Sequence, residues 1–193
     1  MPHPARRIEA FSDGVMAIAI TLLVIEIAVP GEDEDVGQAL RDLVPEVLSF
    51  VLSFLVIGRY WIAHHATLDR AKTIDDGLHW RNLVFLLCIA FLPFPTALLG
   101  ERLGEPLAAV VYAAAMVLVG AASSTLWIYV AKRNGVPPQT LQSVRNRAAA
   151  IPAIFLISIP LAFVDLGGVT AAPIAWLAAL LGLFIRSRLL AAR

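Results

Sequence analysis

The sequence predicts an all-α membrane protein with six spanning helices, and three observations carry that prediction. Of 193 residues, 59% are apolar and 16% charged, against about 45–50% and about 25% in soluble domains. Mean hydropathy is +0.79. The apolar residues gather into six runs near 8–29, 44–65, 79–99, 106–131, 147–165 and 169–190, each close to the ~20 residues that a helix needs to cross the hydrocarbon core. Spanning β-strands would be about 9–11 residues long with strict alternation. A chain of this length holds one compact domain, 1–193.

The first run follows Arg6 and Arg7, as in a secretory signal. It is longer than an h-region of about 7–15 residues, carries Asp13 and lacks a clean small-residue cleavage site, so it reads as a retained helix. The second ends at His64-His65 and the third opens on His79-Trp80-Arg81-Asn82. Between runs stand Pro30-Gly31 with an acidic stretch, Asp69 to Asp76, Gly100 to Pro106, Asn134-Gly135 with Pro137-Pro138, and Gly167-Gly168, all turn chemistry. Pro152, Pro160 and Pro173 interrupt the last two runs, where a kink and a break are both compatible with the pattern. The single cysteine, Cys88, excludes an intrachain disulfide and reads as a small buried hydrophobe.

Formal net charge is zero, but the charges are sorted. Thirteen of the 15 basic residues (Arg6, Arg7, Arg59, Arg70, Lys72, Arg81, Lys132, Arg133, Arg145, Arg147, Arg186, Arg188 and Arg193) fall on one side or near its helix ends, leaving Arg41 and Arg102. Basic residues mark the cytoplasmic side, which places both termini in the cytoplasm. Glu32 to Asp35 crowd the other side and read as a solvated acidic loop.

The first helix has two specialised sides. At about 100° per residue, Ile18, Leu22 and Ile25 fall within about 60° of one another, with Gly14, Thr21 and Val29 on the same broad stripe. Asp13 lies about 140° from Ile18, and Ser12 about 120° the other way. The residues alone read the stripe as lipid-facing or packed. An ionised carboxylate at mid-membrane costs roughly 2.5–3.5 kcal/mol on insertion scales, so Asp13 needs a donor. His64, His65, Trp80 and Asn82 are candidates at matching depth. A structural network between helices is preferred here over a proton relay.

These residues resemble the transmembrane protein 175 family of endosomal/lysosomal-type potassium channels and their prokaryotic relatives. The resemblance rests on Arg7-x-x-x-Phe11-Ser12-Asp13, then Gly14-Val15, Ala17-Ile18, Thr21-Leu22-Leu23, Glu26-Ile27 and Val29-Pro30. It continues through Tyr60-Trp61-x-x-His64-His65, Trp80-x-Asn82-Leu83 and Phe91-x-Pro93-Phe94-x-Thr96, covering the first three runs. It implies a homotetramer of single-repeat, six-helix chains whose first helices line a central pore. It further implies an apolar ring at Ile18, further rings at Leu22 and Ile25, and a hydroxyl layer at Thr21. Arg7, Phe11, Ser12 and Asp13, with His64 or His65, Trp80 and Asn82, would form the network behind the pore wall. The expectation is a leak-type, potassium-selective channel of the plasma membrane. It would use no cofactor, no fixed metal and no nucleic acid, with K+ as a transient occupant of the pore.

The competing reading is a proton-coupled transporter cycling through Asp13 and the His64/His65 pair, although the inverted repeat common in transporters is missing. A membrane enzyme is disfavoured, because adjacent histidines lie about 100° apart on a helix and rarely share one metal.

Overall fold

The computed structural model describes residues 4–31, 35–137, 139–140, 142, 152–168, 170–179 and 182. Its architecture is helical. In chain order the helices are α1 (Pro4–Ile25), α2 (Val36–Asp42), α3 (Val44–Leu68), α4 (Asp76–Phe91), α5 (Pro93–Glu101) and α6 (Pro106–Arg133). After them come α7 (Pro152–Phe163), whose last five residues tighten to 3-10 geometry, and α8 (171–179). Four stretches are long and apolar enough to cross a membrane: Arg7–Ile25, Val44–Leu68, Asp76–Glu101 and Pro106–Arg133. The described parts of the fifth and sixth runs, α7 and α8, are helical but shorter than a span. Glu32 to Glu34, Arg145, Arg147, Arg186, Arg188 and Arg193 lie outside the described residues.

Several boundaries differ from the sequence expectation, each for a local reason. The first helix stops at Ile25 rather than near Val29. Pro30 disfavours helical backbone at the residue before it, and the Ala28 N–H turns to the Glu46 carboxylate at 3.4 Å. The third run is one path with a joint at Leu92, because Pro93 and Pro95 each lack a helical donor. The Thr96 N–H and hydroxyl both donate to the Leu92 carbonyl, at 3.1 and 2.8 Å, and hold the joint together. The acidic loop contains the unforeseen α2. Asp35 caps it by accepting from the Gln38 N–H at 2.8 Å. The D-x-x-Q order is that of a capping box. Arg59 is a further correction: it lies nine residues before the last residue of α3, inside the span rather than near its end.

Helix α1 packs against α3, α4 and α5, while α6 covers α4, α5 and the end of α7. Between them lies a core built on Met16, Leu23, Phe85, Tyr112 and Trp176. Its polar atoms are mostly paired, as buried hydroxyls must be. Ser53 meets the Thr96 and Tyr112 hydroxyls at 2.8 and 3.0 Å, and the Trp176 indole donates to Ser158 at 2.6 Å. Helix α6 and α7 approach closely at Gly120, where a Cβ would come within 2.8 Å of the Pro152 ring.

At the basic end of the bundle, Asp75 clamps α4 to α6. Its carboxylate caps α4 at the Leu78 N–H, 2.9 Å away, accepts from the Tyr129 hydroxyl and pairs with Arg133. The Leu78 N–H, then Tyr129 and Arg133, hold this carboxyl below the ordinary carboxylate range. The clamp is therefore complete above the ordinary value and is lost as pH falls through the lowered one.

Candidate functional site

The two sides of α1 behave oppositely. Ile8, Ser12, Met16, Ala19 and Leu23, spaced 4-4-3-4, are buried against the protein's own helices. The other side is bare. Ile18 is 60% exposed, Ile25 71% and Leu22 41%, and Thr21 and Gly14 lie among them. Of the two readings the residues allowed for this stripe, packing within the chain's own core is overturned. The Thr21 hydroxyl donates to the Ile18 carbonyl at 2.9 Å. Its proton is thus turned into the helix, and its oxygen lone pairs remain available on the exposed side.

Behind this stripe the polar residues form two separate branches. In the first, the Asn82 amide donates to the Ser12 hydroxyl at 3.0 Å, and that hydroxyl donates to the Ile8 carbonyl at 2.7 Å. The Asn82 carbonyl oxygen meets His64 Nε2 at 2.7 Å. Because that oxygen only accepts, His64 carries a proton on Nε2. His64 Nδ1 has no partner among the described residues, and the ring stacks on Phe85 at 5.3 Å. Ser12, His64 and Asn82 are all buried, so this branch is a fully enclosed bridge joining α1, α3 and α4.

The second branch holds Asp13. The Trp61 indole donates to Asp13 Oδ1 at 2.9 Å, and His65 Nδ1 stands 3.7 Å from the same oxygen. The rings of Trp61 and His65 lie 4.9 Å apart. Asp13 is half-exposed rather than enclosed. Its histidine neighbour is therefore His65, and His64 belongs to the other branch.

The structure leaves three expected members outside both branches. Trp80 is 69% exposed. It precedes Asn82 by two positions, about 200° around α4, so the two cannot both face α1. Trp61 supplies the indole instead. Phe11 and Arg7 lie within about 20° of Ile18 around the helix. Both are exposed, on the bare stripe. The sequence does carry a signal for Trp61, since Trp61 and His65 stand at i and i+4 and share one face.

Asp13→Asn should be mild. The amide keeps an oxygen acceptor for the Trp61 indole, and the site is partly solvated, so the loss should stay near 1 kcal/mol, on the order of one ordinary hydrogen bond. Thermal unfolding in detergent checks this, and an unfolded variant would contradict it. Among the described residues, no group of three or more His, Cys, Asp or Glu side chains is placed to hold a metal ion.

Residues 7–93 match the family model described as endosomal/lysosomal potassium channel TMEM175. A potassium channel of Streptomyces collinus is 39% identical over 151 residues, covering 75% of this chain and 73% of that one. The chain belongs to the TMEM175 family. A potassium channel of Chamaesiphon minutus is 38% identical over 173 residues, 82% of this chain and 84% of its own. The crystal structure of a TMEM175 homolog from Chamaesiphon minutus, described as a lysosomal potassium-selective channel, superposes with a TM-score of 0.81. That match has 33% identity and covers 95% of this chain and 97% of that one. The TMEM175 model match covers α1, α3 and α4, the helices that carry the bare stripe and both polar branches.

Proposed function

We propose that this protein is a potassium-selective, leak-type channel of the plasma membrane, built as a homotetramer of six-helix chains with α1 of each subunit on the central axis. The observation that carries the reading is the bare stripe of α1. This helix buries one face in its own subunit and leaves Ile18, Leu22, Ile25 and Thr21 open, a surface that either lipid or further copies of the chain must cover. Four copies meeting on an axis cover it and leave a narrow throat. The relatives named as potassium channels support the permeant ion.

In this reading Ile18 forms the constriction, Leu22 and Ile25 form further apolar rings, and Thr21 adds a layer of hydroxyl oxygens. An apolar throat offers few ligands, so an ion passes partly dehydrated, and K+ gives up its water more readily than Na+. The Ser12–Asn82–His64 bridge fixes the rotation of α1 and hence the aim of Ile18. Asp13, about 140° from Ile18, stays off the path. Basic residues put both termini in the cytoplasm. The whole chain, 1–193, acts as one channel domain with no catalytic step.

Disulfide cross-linking tests the assembly. On a Cys88→Ser background, a cysteine at Gly14 or Leu22 should give inter-subunit dimers under mild oxidation. A cysteine at Leu23, buried in its own subunit, should not. Dimers absent at all three positions, with a monomer in nanodiscs, would overturn the reading.

A further inference from the structure

Arg59 is a charged group inside a spanning helix with no hydrogen-bond or ion-pair partner among the described residues. It stands three positions past Val56, the midpoint of α3. At the helical rise it is about 13 Å from the last residue of that helix. The contacts of Asp13 with Trp61 and His65 register α1 against α3. By that register Arg59 is level with Ala17 and Ile18. Intramembrane charges normally face a bundle interior or a watery cavity and pair there. Arg59 pairs with none of the described residues, and its side chain is exposed.

Its direction follows from the same contacts. Trp61 and His65 mark the side of α3 that meets α1. Arg59 precedes Trp61 by two positions, about 200° around the helix, so it points away from α1. Asp13 is out of reach. With α1 on the central axis, this side of α3 faces lipid.

The rest of that side has the shape of a lipid. Ala63, Ala66 and Arg70 follow Arg59 at i+4, i+7 and i+11, on one stripe toward the cytoplasmic end. The two alanines leave a shallow trough, and Arg70 stands exposed at its lip, donating to the Ala66 carbonyl at 2.6 Å. In the other direction Leu48, eleven positions before Arg59, lines an apolar cavity of about 250 Å³ that Leu52, Ile174 and Leu177 also enclose. That stretch of helix spans about 16 Å.

We propose that this side of α3 binds one anionic phospholipid of the cytoplasmic leaflet. Arg59 reaches toward the cytoplasmic end of α3 to hold its phosphate, and the headgroup lies over Ala63 and Ala66 with Arg70 at the rim. One acyl chain runs back along α3 past Arg59 toward the cavity beside Leu48. Guanidinium suits this role, because its planar fork matches phosphate oxygens in pairs and its apolar stem crosses hydrocarbon to reach them. The assignment uses the central placement of α1 only to turn this side outward.

Native mass spectrometry of the purified full chain tests it, with phosphatidylglycerol and phosphatidylcholine of identical chains as probes. The wild type should retain phosphatidylglycerol preferentially, one per subunit. Arg59→Leu, which suits a lipid-facing position and should fold, should lower that preference at least fivefold. Arg59→Lys should keep most of it, Arg70→Gln should weaken it partly, and Leu48→Trp should reduce retention of both lipids by filling the cavity. Undiminished preference in folded Arg59→Leu would overturn the proposal. So would aqueous labelling of a cysteine at Arg59 by a charged thiosulfonate, which would place it in a watery cavity, or its cross-linking to a second subunit. The same spectra count subunits: preference retained in a monomer would fail the channel reading and leave the lipid site standing.

Discussion

Ile18→Ala should raise unitary conductance and sharply reduce discrimination against Na+. Each copy loses three carbons, and four copies widen one ring together, so ions cross with more of their water. Little stability cost within the subunit is expected, because Ile18 is 60% exposed there and lies outside the buried core. Leu23→Ala is the control. Leu23 is fully buried and lies about 140° from Ile18. Its truncation should cost about 2–5 kcal/mol through a cavity and leave the reversal potential alone. Thr21→Val separates two sources of selectivity, since it removes the oxygen ligand at nearly constant shape. If Thr21→Val abolishes K+ preference and Ile18→Ala spares it, ligation by hydroxyls outranks dehydration. Whether cavity size or ligand chemistry dominates is disputed for ion filters in general.

Asn82→Ala should be the most damaging change in the polar network. It removes both the donor to Ser12 and the acceptor for His64, all within an enclosed site. The His64 Nε2–H is left unpaired, at about 1–3 kcal/mol, with a cavity term added. Ser12→Ala should cost less, since it orphans only one amide proton of Asn82. The double variant should cost little more than Asn82→Ala alone, as expected of residues in one network. Thermal unfolding in detergent reads all three. Additive costs would show that the bridge is two independent contacts.

The sequence makes some of these features legible and hides others for physical reasons. The two sides of α1 could be read because the helical period runs unbroken from Ile8 to Ile25 and depends on no partner. The turns at Gly135, Gly167 and Gly168 were equally plain, and all three residues have positive φ. The pairings of Asp13 were not legible. Trp61 and Trp80 offer the same indole at similar depth, and only the rotation of α3 and α4 about their axes decides between them. Arg59 shows the same limit. Its charge suggests a helix end, whereas the length of α3 puts it inside the span. The joint at Leu92 was not anticipated: Pro93 and Pro95 remove helical donors there, but the third run stays apolar through them, and the Thr96 hydroxyl that holds the two halves together appears only once the backbone is bent.

The most direct test of the central claim is the bi-ionic reversal potential of the purified protein in planar bilayers, with K+ on one side and Na+ on the other. The account predicts resolved unitary currents that reverse well toward the K+ equilibrium potential. They should carry ions far faster than a transport cycle can turn over, and Ile18→Ala should move the reversal toward zero. Absence of unitary currents, or a wild-type reversal at zero unchanged by Ile18→Ala, would contradict it.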